Sequence, residues 1–434
     1  MKFYSTNNRS VLTSLRDAVL RGLAPDNGLY MPEHIPVLPT SFFKEIRGMD
    51  FQQIALSVAK AFTSDDIPDA ELNRIIAHTL AFDAPLVEVE ENVFALELFH
   101  GPTLAFKDFG ARFMSQLLRF FAAQMDREIV ILVATSGDTG SAVANGFLGV
   151  EGVRVVVLYP AGKVSDIQEK QFTTLGQNIT AVEVEGTFDD CQRLVKSAFM
   201  DRDLREKYFL TSANSINIAR LIPQSFYYFR AYSQRKLRDA PVVFSVPSGN
   251  FGNLTAGLMA MRMGLPVEKF IAATNINDVV PEYLTTGTLE PRPSRHTLSN
   301  AMDVGNPSNF VRMIDLYDGD LHKIRRDIMG YAFTDAETQT AMQSVSRKFN
   351  YTLDPHGAVG YLGLKKYLSE NRKEANAIFL ETAHPAKFRE VVEGAIGQSI
   401  ALPPALERFI KGKKETAIIS SGYEAFKDML ISVI

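Results

Sequence analysis

The sequence predicts an α/β protein: two doubly wound α/β domains with a ligand cleft between them, preceded by a mostly helical domain. Three observations carry that expectation. From Val93 onward, short β-branched apolar runs alternate with helical patterns. Such near-continuous runs are the mark of parallel strands covered on both faces. The runs also fall into an early and a late group, which two sheets accommodate better than one. Before Val93 the pattern changes to helices and loops, punctuated by Pro25-Asp26-Asn27-Gly28 and by the prolines from Pro32 to Pro39.

The early strands are expected at Ile129–Ala134, Val153–Tyr159 and Asn178–Val184. The late ones are expected at Val242–Val246, Phe270–Asn275 and Ala377–Leu380. The expected division is an N-terminal domain over 1–92, a large domain from 93–111 and 205–434, and a small α/β domain over 112–204.

Composition narrows the function. The 434 residues are 46% hydrophobic and 22% charged, an ordinary globular balance that excludes disordered and collagen-like classes. A net charge of −4 leaves no electrostatic footprint for nucleic acid or an anionic membrane. The single cysteine, Cys191, permits neither a disulfide framework nor a cysteine-based zinc site, and points to a reducing compartment. Met1–Ser5 opens no apolar signal segment. No apolar run approaches the roughly 20 residues of a membrane span. The expectation is a cytoplasmic protein of open oligomeric state, with neither nucleic acid nor membrane as partner. The seven His are scattered, without the pairing a metal site needs.

Four stretches carry candidate chemistry. In Phe99-His100-Gly101-Pro102-Thr103-Leu104-Ala105-Phe106-Lys107-Asp108-Phe109-Gly110, Lys107 opens an amphipathic helix whose apolar face holds Phe109, Phe113, Leu117 and Phe120. Asp108 suits the cap or first turn. Desolvation between Phe106 and Phe109 lowers a lysine's pKa and frees its amine as a nucleophile. The bland alternative is a snorkelling lysine.

In the second stretch, Ala134-Thr135-Ser136-Gly137-Asp138-Thr139-Gly140-Ser141 follows a strand and starts a helix. Such a turn gathers backbone N–H groups at a positive dipole end and binds an anion, unless it is a bare βα turn. Asp138 is awkward in an anion site, and capping the helix with its carboxylate turned away is one way out.

The third stretch, Pro247-Ser248-Gly249-Asn250-Phe251-Gly252-Asn253, is another strand–loop–helix unit. Gly249 and Gly252 allow close backbone approach, and Asn250 and Asn253 add amide donors. Nothing basic lies in the loop, so a phosphate there relies on N–H groups and the helix dipole. The loop has neither the Walker ending nor the dinucleotide glycine pattern.

In the fourth stretch, Glu381-Thr382-Ala383-His384-Pro385-Ala386-Lys387-Phe388, Thr382 stands at the carboxyl end of a late strand, where open α/β sheets place ligand groups. Its hydroxyl can serve a ring nitrogen, or can bond its own backbone.

Together and in this order, the four stretches resemble the threonine synthase family. Asn27-Gly28-Leu29-Tyr30-Met31-Pro32 and Ser299-Asn300-Ala301-Met302-Asp303 add to the likeness. It runs from near residue 25 to near residue 400, and the last thirty or so residues match nothing. The resemblance implies a tryptophan-synthase-like fold type and pyridoxal 5'-phosphate as cofactor, with Lys107 as its Schiff-base lysine. It implies that Gly249, Asn250, Phe251, Gly252 and Asn253 hold the cofactor phosphate and that Thr382 meets the ring nitrogen. Ser136, Gly137 and Thr139 are implied in substrate binding. The implied reaction converts O-phospho-L-homoserine and water to L-threonine and phosphate. Related dehydratases carry Asn at the place of Asp138, so no ring-oxygen contact is carried onto Asp138. Lys163, Arg112, Arg220 and Lys387 lie near motif ends and are candidates for the substrate phosphate. The rivals are a dehydratase of the same fold type, a binding protein that has lost the chemistry, and a nicotinamide dehydrogenase.

Overall fold

A computed structural model describes residues 1–63, 66–371 and 374–434. Its strands, in chain order, are β1 Lys2–Ser5, β2 Asn8–Ser14, β3 Tyr30–Pro32, β4 Leu86–Glu90, β5 Val93–Glu97, β6 Ile129–Ala134, β7 Val153–Pro160, β8 Ile179–Glu185, β9 Phe209–Thr211, β10 Val242–Pro247, β11 Lys269–Thr274, β12 Ile328–Ala332, β13 Asn376–Glu381 and β14 Ala417–Ser420. All six apolar runs expected as strands are strands, within about a residue or two at each end.

Two α/β sheets dominate. The larger is ordered β12-β11-β10-β13-β5-β4, parallel except where β4 runs against β5. The smaller is ordered β14-β8-β7-β6-β9 and is parallel throughout. Strands β6, β10 and β13 are buried along their whole length, as strands covered on both faces must be. The carboxyl ends of β10 and β6 lead into the loops before helices Gly252–Arg262 and Asp138–Phe147. In β13, Glu381 pairs with Glu97 of β5, so these two strand ends are level.

The sheets draw strands from across the expected divisions. β9 and β14, within the 205–434 segment, belong to the five-stranded sheet. The reason for β14 is burial: Phe426 and Leu430 of the following helix pack with Val182, Cys191 and Leu194. β4 lies in the six-stranded sheet, inside the segment 1–92. That segment has its helices, including Phe51–Thr63 and Asp69–Thr79, but also an antiparallel sheet ordered β2-β1-β3. β2 (Asn8–Ser14) is exposed or half-buried at every position, so it shows no alternation of apolar and polar residues to read. Among the described residues no helix is long and apolar enough to cross a membrane.

Candidate active site

Lys107 is the first residue of helix Lys107–Ala122. The loop before it is tied down twice. Asp108 is buried and accepts from Thr103 N at 2.9 Å and Thr103 Oγ1 at 2.6 Å. It therefore closes the loop from the helix's first turn and does not cap the helix. Phe106 N–H donates to Thr382 O at 2.9 Å, which holds the lysine segment against the end of β13. Burial pulls the Lys107 amine down to about 8, and the Lys387 and Arg220 charges push the same way while Asp138 opposes them.

The Ser248–Asn253 loop is built to leave N–H groups free. Phe251 takes a left-handed φ of 60° at the N-cap of helix Gly252–Arg262, an uncommon conformation for a large side chain. The N-cap side chain makes no bond to that helix; Leu254 N–H is taken by Asn253 Oδ1 at 3.0 Å, which leaves the N–H groups of Gly252 and Asn253 for an anion. Gly249 is packed so closely that a Cβ would lie 2.9 Å from both Ala301 O and Met302 Cα. The side-chain amides serve the loop itself. Asn253 Nδ2 donates to Pro247 O at 2.8 Å, and Asn250 Oδ1 accepts from Ser308 N at 3.2 Å and Ser308 Oγ at 3.0 Å. The Asn253 amide, expected as an added donor, is thus already engaged.

The Ala134–Ser141 turn closes on a residue the sequence reading passed over. Thr135 Oγ1 accepts from Gly137 N at 3.0 Å and Gly140 N at 2.8 Å. Gly137, with φ 150° and ψ −104°, is in a region open to glycine and little else. Asp138 does not cap the helix. It is buried, and its Oδ1 is 2.6 Å from Lys387 Nζ and accepts from Gln168 Nε2 at 2.8 Å. Burial opposes its charge, but the Lys387 and Lys107 cations outweigh that and hold its carboxyl well below the usual range.

One cleft brings these parts together. Lys107, Thr139, all of Gly249–Asn253 and Thr382 line it. Ser136 and Gly137 do not; Ser136 is exposed on the turn. Thr382 Oγ1 makes no hydrogen bond among the described residues, so the self-bonding alternative does not apply. Of the four basic candidates only Arg220 lines the cleft. Lys163 is exposed, Arg112 donates to Thr79 O at 3.2 Å, and Lys387 is paired with Asp138. Arg220 is buried, donates from Nη1 to Ala213 O at 2.5 Å, and has an unpartnered Nε.

His356 also lines the cleft and was not anticipated. Its Nδ1 is 2.6 Å from Asp354 Oδ1, and its Nε2 accepts from Ala301 N at 3.2 Å. Asp354-Pro355 is a readable helix start, an N-cap followed by proline. Nothing in that signal shows that the next residue reaches the cleft.

Three family models match the chain: "Threonine synthase N terminus" over 2–80, "Pyridoxal-phosphate dependent enzyme" over 77–382, and "Threonine synthase, C-terminal" over 357–430. The threonine synthase of Escherichia coli K12 is 46% identical over 408 residues, 94% of each chain. The chain belongs to the threonine synthase family. The threonine synthase of Haemophilus influenzae is likewise 46% identical, over 94% of each chain. A solved threonine synthase from Brucella melitensis, described as bound to PLP, superposes with a TM-score of 0.94 at 35% identity, covering 100% of this chain and 99% of that one. A tomato threonine deaminase shares the fold alone, at 18% identity and a TM-score of 0.57. The C-terminal match reaches residue 430, so the segment the motif reading left unmatched, including β14, also has counterparts in threonine synthases.

The cleft fits the family's cofactor on its own chemistry. It offers an uncapped helix N-terminus behind a close-packed glycine for a phosphate. It also offers an amine of lowered pKa for an aldehyde and an unpartnered strand-end hydroxyl for a ring nitrogen.

Proposed function

We propose that the chain converts O-phospho-L-homoserine and water to L-threonine and phosphate, with pyridoxal 5'-phosphate seated in this cleft. The reading rests on one juxtaposition: Lys107, the Gly249–Asn253 loop and Thr382 line the same space in a chain of the threonine synthase family. Gly249–Asn253 would hold the cofactor phosphate, Thr382 its ring nitrogen, and Lys107 its aldehyde. When bound, pyridoxal phosphate supplies a ring that delocalises the electron pair left by a departing proton.

The chain's own groups do the rest. Lys107, displaced by the substrate amine, becomes a free base over Cα and removes its proton. Its lowered pKa leaves part of it unprotonated near neutrality. A second proton leaves Cβ, and phosphate departs from Cγ with its bridging oxygen. Lys107 can return protons to Cα and Cγ while water adds its oxygen to Cβ, which balances the conversion. Thr382 offers a neutral hydroxyl rather than a carboxylate, so it does not favour a protonated ring nitrogen. That suits elimination and replacement. Thr139, the residue of that turn that lines the cleft beside Asp138, would take the substrate carboxylate, and Arg220 would meet its phosphate. The single thiol, buried at Cys191, agrees with a cytoplasmic setting.

The test is product analysis. Protein loaded with pyridoxal phosphate and given O-phospho-L-homoserine should release threonine and phosphate in equal amounts. Deamination of threonine or serine without turnover of the phosphorylated substrate would make it a dehydratase instead.

A further inference from the structure

Asp138 is the only carboxylate among the described residues that line the cleft. The cleft otherwise presents the basic side chains of Lys107 and Arg220 and the ring of His356. Asp138 also sits in a turn proposed to receive an anion, where a bare negative charge would work against binding. Lys387 resolves part of that conflict. Its Nζ is 2.6 Å from Asp138 Oδ1 and donates to Thr103 O at 2.9 Å, and the lysine is buried. Gln168 Nε2 donates to the same carboxylate oxygen, so Oδ1 is saturated. No hydrogen bond to Asp138 Oδ2 is found among the described residues, and Asp138 lines the same cleft as Lys107.

We propose that Asp138 is the counter-ion of the Lys107 ammonium, and that Lys387 sets how much of its charge Lys107 feels. This rests on the reading of Lys107 as the cofactor lysine. Each time Lys107 accepts a proton from the substrate, a cation forms in an enclosed space already facing Arg220. Asp138 is the group placed to offset it, because attraction between charges is strong where water is excluded. With Lys387 paired to it, the carboxylate is only partly available. Lys107 is therefore held protonated less firmly than by a lone aspartate and more firmly than by none. Asp138 and Lys387 are positioning residues in this account, since they act through Lys107. The groups that face Lys107 are Asp138, Arg220 and Lys387, with Asp108 and His356 on the neighbouring segments.

The test reads the Lys107 amine directly. Full-length protein freed of cofactor is methylated reductively with isotope-labelled formaldehyde across a pH series, and labelling at Lys107 is followed by mass spectrometry. The parent midpoint should lie near 8. Asp138→Asn should lower it by about one pH unit or more, and Lys387→Met should raise it by a similar amount. The double variant should return toward the parent. An unmoved or raised midpoint in Asp138→Asn, or a lowered one in Lys387→Met, overturns the proposal. If Asp138→Asn does not fold, Lys387→Met is compared with the double variant, which carries no unpaired buried charge. The double variant must then have the lower midpoint, and equal midpoints overturn the proposal. Borohydride trapping of cofactor on the loaded parent is run beside it. An adduct on another lysine defeats the functional reading, whereas a failed midpoint shift with the adduct on Lys107 defeats only this inference.

Discussion

Phe106 N–H donates to the carbonyl of Thr382 at 2.9 Å, and Ala105 bridges Ala383 alongside it. A loop and a strand end far apart in sequence are thereby joined by backbone alone. Lys107 and Thr382, the two groups assigned to opposite ends of one cofactor, are held by contacts that do not involve their own side chains. Changing either side chain should therefore leave the framework in place.

Lys107→Ala should lose at least about a thousandfold in kcat, the scale of a missing general base, while its circular dichroism spectrum and Tm stay close to the parent's. The variant should yield no borohydride-trapped cofactor on any lysine. Trapping at full stoichiometry elsewhere would move the assignment to that lysine.

The two loop glycines should separate. A Cβ at Gly249 meets backbone at 2.9 Å on two atoms, but at Gly252 its nearest neighbour is Asn309 Nδ2 at 3.4 Å. Gly249→Val must push the Ala301–Met302 segment away and should cost both cofactor retention and stability. Gly252→Val should fold nearly as well as the parent yet retain less cofactor, because the added bulk screens the helix N–H groups. Cofactor per folded chain, with Tm measured beside it, checks both. Full occupancy in both would place the phosphate elsewhere.

Thr382→Val keeps the shape and removes one neutral hydrogen bond, worth roughly 0.5–1.5 kcal/mol. Cofactor affinity should fall by about two- to tenfold, read by equilibrium dialysis. Thr382→Asp should behave differently, because a carboxylate favours a protonated ring nitrogen. It should lose threonine formation and build a longer-wavelength absorbance with substrate. A spectrum and product distribution matching the parent's would remove Thr382 from the ring.

Glu381, next to Thr382, is buried and accepts from Asp354 N at 2.6 Å on one oxygen, while its other oxygen has no hydrogen-bond partner among the described residues. Burial, with the neighbouring Asp354 and Glu97 charges, raises its pKa well above the ordinary carboxylate value. A raised folded-state pKa contributes stability that is fully present below the unfolded value, about 4.3, and is lost progressively as pH rises toward the folded value. Glu381→Gln is neutral at every pH. It should match the parent's Tm near pH 4 and exceed it by a few degrees near pH 8. Parallel Tm curves across that range would mean that Glu381 is ionised in the folded chain.

The sequence was informative where one local pattern does the work. β6 and β10 are buried on both faces and end in glycine turns, so they read as strands and their loops as anion sites. Lys107 and Thr382 stand at element ends, where position alone marks them. The pair Asp138–Lys387 was not legible, because nothing local to either residue tells that they meet. Arg220 was one of four equivalent basic candidates until burial separated them. β14 joins a sheet edge formed mostly by residues far earlier in the chain, and His356 reaches the cleft because of how its helix packs. These are tertiary facts, carried by no window of neighbouring residues.

The central claim is that the cleft breaks the Cγ–oxygen bond and adds water at Cβ. Running the reaction with O-phospho-L-homoserine in water enriched in oxygen-18 tests it most directly. The account predicts one solvent oxygen in the threonine hydroxyl and none in the phosphate at early times, since phosphate leaves with its own bridging oxygen. Solvent oxygen in the phosphate, with homoserine as the other product, would contradict it.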